Sequence, residues 1–271
     1  MRAGGLNEGR IEMDIATLIG VIVAAGGILW AMYESTHGDI GAFFSTEGVV
    51  VVLCGSFAAG CMAMPLRTVL DTFGILKKWL LVKELPMDKL VKQLVSYAEV
   101  ARRDGMLALE DAIKQQQDPF LKKGLQLAID GTDPEIIQQT LEIEVQTLAE
   151  RHKQGKRFFE VVGAFGPGFG LCATLIGQIA MFRNLGGDIG AIGGGLAMAM
   201  CATLYGTIIC NAICGPIANK LGIRSSEEQL LKEMTLVGIM SIQAGDNPNV
   251  VEMKLHSFLS DRQRKSLEKR R

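Results

Sequence analysis

Thr203, Thr207 and Asn211 recur every four residues in a stretch without a charged side chain. On a helix that spacing puts three polar groups on one face. Thr174 and Gln178 repeat the spacing in a second such stretch. Hydroxyl and amide oxygens can line a path for a cation or a proton, yet none of these groups is an acid or a base at neutral pH. Against lipid such a stripe is costly, so it faces protein or water. The competing reading is local: a Thr in a membrane helix often bonds back to a carbonyl of its own helix. For one Thr the two readings are evenly matched; a stripe of three favours the first.

Residues 15–33, 48–66, 161–182 and 189–219 contain no Asp, Glu, Lys or Arg. A proton or cation relay built from the chain's own carboxylates is therefore excluded from these windows. The six cysteines, Cys54, Cys61, Cys172, Cys201, Cys210 and Cys214, all fall inside them with no His nearby. They read as small apolar fillers, neither metal ligands nor a disulfide framework. His37, His152 and His256 lie outside the windows and read as solvated surface. Gly166-Pro167-Gly168-Phe169-Gly170 lacks the Lys-Ser/Thr ending and preceding strand of a phosphate loop. No paired acids or nucleophile constellation supports an enzyme, so no catalytic residue, resident metal or cofactor is expected.

These residues need helices long enough to carry them. Each uncharged window approaches or exceeds the roughly 20 residues of a membrane span, and four windows in 271 residues point to four transmembrane helices. All but three of the 28 Lys and Arg (Arg2, Arg10 and Arg183) lie in residues 67–157 and 220–271. The link over residues 34–47 carries Glu34, Asp39 and Glu47 and no basic residue. Positive charge beside span ends marks the cytoplasmic side. Arg67, Lys77 and Lys78, then Arg151, Lys153, Lys156 and Arg157, then Lys220 and Arg224, put both termini and the central segment in the cytoplasm.

The expected architecture is all-α: an extension over residues 1–12, spans one and two over 13–66, a cytoplasmic helical domain over 67–157, spans three and four over 158–219, and a cytoplasmic tail over 220–271. Met13 reads as the biological start, with Asp14 as N-cap of the first span. A helix opens near Pro86 with Leu90, Leu94 and Ala98 on one face, and Gly105 interrupts it. A second stretch carries Met106, Leu107, Leu109 and Ile113. Asp118-Pro119 starts a third helix, and Thr132-Asp133-Pro134-Glu135 a fourth that runs through Arg157 into the third span. The tail is expected to hold a separate helix near residues 227–240, a Gly245-Asp246-Asn247-Pro248 turn, and a basic run over 262–271 that is a solvated end or a lipid contact. Pro167 and Pro216 remove backbone donors and can bend their spans.

Several segments, in order and spacing, resemble the MotA/PomA family of flagellar stator subunits. They are Met13-Asp14-Ile15-Ala16-Thr17-Leu18-Ile19-Gly20, Ala101-Arg102-Arg103-Asp104-Gly105-Met106-Leu107-Ala108-Leu109-Glu110, Pro167-Gly168-Phe169-Gly170 with Thr174-Leu175-Ile176-Gly177, Ala202-Thr203-Leu204-Tyr205-Gly206, and Pro216-Ile217-Ala218-Asn219-Lys220-Leu221. The resemblance implies a ring-shaped homo-pentamer in the bacterial inner membrane around two copies of a MotB/PomB-type single-span partner. That partner carries the ion-binding Asp missing here, and ion flow past it turns the ring against the rotor switch protein FliG. The resemblance assigns Arg102, Arg103, Glu110 and Asp111 to rotor contact, Pro167 and Pro216 to conformational change, and Thr174 and Thr203, with Thr207 on the same stripe, to the ion path. Thr at both 174 and 203 is typical of sodium-type members, so sodium is favoured over the proton as the transported ion; Asp104 and Ala173 depart from the Gly common in that subtype. No nucleic acid is expected.

The alternative is an energiser of envelope transport of the ExbB/TolQ type. Those relatives have one span before the cytoplasmic domain, and this chain has two.

Overall fold

The computed structural model describes residues 11–13, 15–70, 72, 74, 81–83, 87–183, 185–186, 189–261 and 264. The extension up to Arg10, the Asp14 cap, Lys77 and Lys78, the Pro86 start and the basic run apart from Arg264 lie outside the described residues.

The fold is all-α, with one three-residue ribbon in which Ile11–Met13 pairs antiparallel with Leu81–Lys83. Among the described residues, four helices are long and apolar enough to cross a membrane. The chain divides into two compact units, one formed by Met1–Lys83 with His152–Ile223 and the other by Glu84–Arg151 with Arg224–Arg271.

In the first unit, α1 (Ile15–Ser35) has no buried residue, and Ile15, Val23 and Trp30 are exposed. An apolar helix so little covered by its own chain suits lipid or other protein chains. His37 and Gly38 take positive φ and end the helix, with the Gly38 N–H closing on Tyr33 O at 3.0 Å. Helix α2 (Thr46–Ala63) starts on Ser45, whose Oγ accepts the Gly48 N–H at 3.2 Å. The second uncharged window runs to Leu66, but the helix stops at Ala63. Met64 is extended because Pro65 disfavours a helical residue before it.

The second unit holds the larger core. Leu94, Leu109, Ile113, Phe120, Leu121, Leu125, Ile137, Leu141, Met234, Ile239, Ile242 and Leu255 are fully buried. They come from α3 (Met87–Asp104), the 3-10 turn Met106–Leu109, α4 (Glu110–Lys114), α5 (Pro119–Ile129), α6 (Pro134–Arg183), α8 (Gly215–Gln243) and α9 (Pro248–His256). Gly105 at φ 86 breaks the chain between α3 and α4, as its place in the sequence predicts. Asp118 caps α5 by accepting the Phe120 N–H at 2.9 Å, with Pro119 in the first turn. Lys232 Nζ reaches the same carboxylate at 3.1 Å and lies 4.6 Å from the Phe120 ring centre, so one cation fixes both the cap and the aromatic anchor below it.

Helix α6 runs for 50 residues from the Asp133-Pro134 start, as expected. The tail departs from expectation. No separate helix begins near residue 227; α7 (Ile189–Ile208), a π-helical turn (Ile209–Cys214) and α8 form one uninterrupted helical run to Gln243. Pro216 does not stop it. A proline lacks the N–H and crowds the carbonyl four residues earlier, and the wider π turn relieves that crowding while Gly215 N–H bonds back to Cys210 O.

Candidate functional site

Helices α6 and α7 meet through glycine. A Cβ on Gly206 would lie 2.5 Å from the Gly166 carbonyl oxygen, one on Gly177 2.7 Å from Gly195 O, and one on Gly170 3.0 Å from Ala202 O. A side chain would force a shift at Gly206 and Gly177 and crowd Gly170, so backbone rests on backbone. The glycines that read as ordinary close packing are what bring polar side chains of the two helices within reach.

Thr174 Oγ1 lies 2.6 Å from Thr203 Oγ1, 2.9 Å from Gly170 O and 2.9 Å from Ala199 O; Thr203 Oγ1 lies 3.3 Å from Ala199 O. Four oxygens thus cluster around two hydroxyl protons. One hydroxyl donates to the other, and the remaining proton goes to a carbonyl. At 2.6 Å the two hydroxyls share one of these protons, and their remaining lone pairs are oxygen acceptors of the kind a hard cation takes.

Thr207 stands apart from this cluster. Its Oγ1 donates to Thr203 O at 2.9 Å, and Asn211 Nδ2 donates to Thr207 O at 3.1 Å. The local reading therefore describes Thr207, whereas Thr174 and Thr203 bond both locally and across helices. Thr203, Thr207 and Asn211 are all exposed, so the chain itself leaves the polar stripe uncovered.

The two prolines serve different places. Pro167 sits at the glycine crossing, where its Cα would be 3.1 Å from a Cβ on Gly206. Pro216 follows the π turn that carries Asn211.

Arg102, Arg103, Glu110 and Asp111 are exposed around the Gly105 break. The break removes the continuous helix that would have put Arg102 and Glu110 near one face. Arg103 instead forks onto Asp104 through Nε and Nη2, the latter at 2.8 Å. That bond holds the Asp104 carboxyl below the usual range and raises the guanidinium further. Lys114 lies 3.1 Å from Asp111 and 3.7 Å from Glu110, and Asp111 first, then Glu110, raises its ammonium pKa. Lys114 was not picked out from the sequence, although its spacings of three and four from Asp111 and Glu110 signal it. Leu107 stands 73% exposed amid these charges.

Residues 112–234 match the profile of the MotA/TolQ/ExbB proton channel family. The chain is 37% identical to "Motility protein A" of Borreliella burgdorferi, over 94% of this chain and 97% of that protein. It is 33% identical to "Chemotaxis protein PomA" of Vibrio alginolyticus, over 93% and 98%. Its fold is similar to a chain in the structure of the flagellar MotAB stator complex from Bacillus subtilis, with a TM-score of 0.85, 29% identity, and coverage of 93% of this chain and 99% of that one.

Proposed function

The chain belongs to the MotA/TolQ/ExbB proton channel family, in its motility protein A branch, and on that premise we propose that it is the ion-path subunit of a flagellar stator in the bacterial cytoplasmic membrane. Five copies surround two copies of a MotB/PomB-type partner with a single span. Both termini and the second unit lie in the cytoplasm, where the charged turn at residues 102–114 pushes on FliG.

The observation that carries this reading is the pairing of Thr174 and Thr203 beside an uncovered polar stripe, within spans that hold no acid. An ion path without a carboxylate needs one from a second chain, and the open face is where that chain would lie. The four-oxygen cluster supports sodium over the proton: a proton needs one acceptor, whereas a hard cation needs a shell of oxygens that one carboxylate cannot fill.

Two experiments test the reading. In liposomes this chain alone conducts neither sodium nor protons, and flux appears when the single-span partner is co-reconstituted; robust flux from the chain alone would overturn it. In cells, deletion abolishes swimming, and swimming speed follows external sodium at fixed pH. Swimming that ignores sodium and stops with a protonophore at neutral pH would assign the proton instead.

A further inference from the structure

We propose that Tyr205 is a positioning residue for the Thr174–Thr203 pair, acting through a clamp between α7 and the link ahead of α2; this rests on the stator reading above. Tyr205 Oη donates to Phe43 O and accepts the Ser45 N–H at 2.9 Å. One phenolic hydroxyl therefore satisfies a donor and an acceptor of a backbone segment 160 residues away in sequence. Ser45 is also the N-cap of α2, so the clamp reaches the start of that helix. A Cβ on Gly48 would lie 3.4 Å from the Tyr205 ring and 3.4 Å from Ala202 Cβ. Cys201 Sγ donates to Ala42 O at 3.8 Å.

Cys201, Ala202 and Tyr205 share one face of α7, whereas Thr203 points about 200° around from Tyr205 at 3.6 residues per turn. The clamp thus grips the helix from the side away from the polar stripe. Against α6 the helix packs closely at Gly195 and Gly206 and is bonded by Thr174 through Thr203 and the Ala199 carbonyl. The Tyr205 hydroxyl adds directional bonds on the other side of the helix. A small rotation of α7 would carry Thr203 Oγ1 off the 2.6 Å contact with Thr174. Fixing α7 from behind keeps the two hydroxyl oxygens in contact.

The test uses Tyr205→Phe, which keeps the ring against Gly48 and removes only the hydroxyl, in the complete complex with its partner. Two quantities are read: amide hydrogen exchange of the peptide covering residues 40–48, and rotation speed against external sodium and against pH. The expected result is exchange roughly five- to tenfold faster in that peptide, as for one lost hydrogen bond, with the half-saturating ion concentration raised about threefold or more and complex yield retained. Tyr205→Leu, which also removes the ring, lowers complex yield, separating packing from hydroxyl. Unchanged exchange overturns the clamp. Faster exchange with an unchanged ion dependence overturns the positioning role. Failure of the stator reading shows separately, as a wild-type complex whose rotation responds to neither ion, and it removes this proposal too.

Discussion

Thr174 and Thr203, 29 residues apart and on successive helices, share a hydroxyl–hydroxyl contact of 2.6 Å. The contact exists because Gly170 lets the α7 backbone approach within what one Cβ would occupy. Both oxygens also lie beside the Ala199 carbonyl, so neither hydroxyl can be altered without changing the other's choice of partner.

That coupling makes the two threonines non-additive. On the proposed sodium reading, Thr174→Ala and Thr203→Ala should each raise the sodium concentration needed for half-maximal speed. The double variant is expected to cost less than the two singles together, with a coupling of about 1 kcal/mol, typical of groups in one hydrogen-bonded network. Thr207→Ala, which removes a bond only to its own helix, has the smaller effect. Speed–sodium curves for the four variants decide it; strict additivity would make the hydroxyl contact incidental.

The helix crossing gives a second prediction. Gly206→Ala forces a methyl to 2.5 Å from the Gly166 carbonyl, a backbone atom that cannot swing aside. The cost is about 1–3 kcal/mol, as for overpacking elsewhere. Gly193→Ala, with nothing of this chain within 4 Å, is the control. Thermal unfolding of the purified complex in detergent should show the first variant melting early and the second unchanged.

Local chemistry was readable ahead of the structure, and long-range consequences were not. The Gly105 break, the Asp118-Pro119 start and the long helix from Pro134 follow from residue types whose backbone preferences act within a turn. The Thr174–Thr203 pair could be placed on polar faces, but its contact depends on glycines from two helices meeting in register. The join of the fourth span to the tail helix was not legible, because nothing in the sequence reveals that a π turn lets the helix run on past Pro216. The Tyr205 clamp left no trace, since its partners are main-chain groups that every residue carries. The same holds for the ribbon at Ile11–Met13.

Acid should loosen the turn after α8. Lys254 Nζ sits 2.6 Å from Asp246 Oδ2, and its hydrogen bond lowers the Asp246 pKa below the ordinary carboxylate value. A carboxyl depressed in the folded state contributes stability that is complete above its unfolded pKa and is lost as pH falls through the folded one. The pair is near the surface, so the contribution is a few tenths of a kcal/mol to about 1 kcal/mol. Asp246→Asn should lower stability at pH 7 and make little difference at pH 2, read by denaturant unfolding at the two pH values. Equal effects at both would assign Asp246 a role through its bond with Ser241 or the turn backbone instead.

The charged turn puts its two neighbouring arginines in different surroundings. Arg103 is engaged by Asp104 and Lys114 by Asp111, while Arg102 has no carboxylate within ion-pair distance among the described residues. A cation already paired within its own chain offers less to a partner than a free one, because the pair must be broken or shared. Arg102→Glu should therefore reduce torque more than Arg103→Glu, roughly twofold or more, with complex assembly intact. Glu110→Lys should act like Arg102→Glu, since its contact with Lys114 is the longer one at 3.7 Å. These are exposed charges, so raising intracellular salt should shrink the differences, and an opposite charge reversal on the rotor should restore torque. The decisive measurement is stall torque of tethered cells across the three variants. Arg103→Glu proving as damaging as Arg102→Glu would mean that the Arg103–Asp104 pair opens in the working complex and that both arginines meet the rotor.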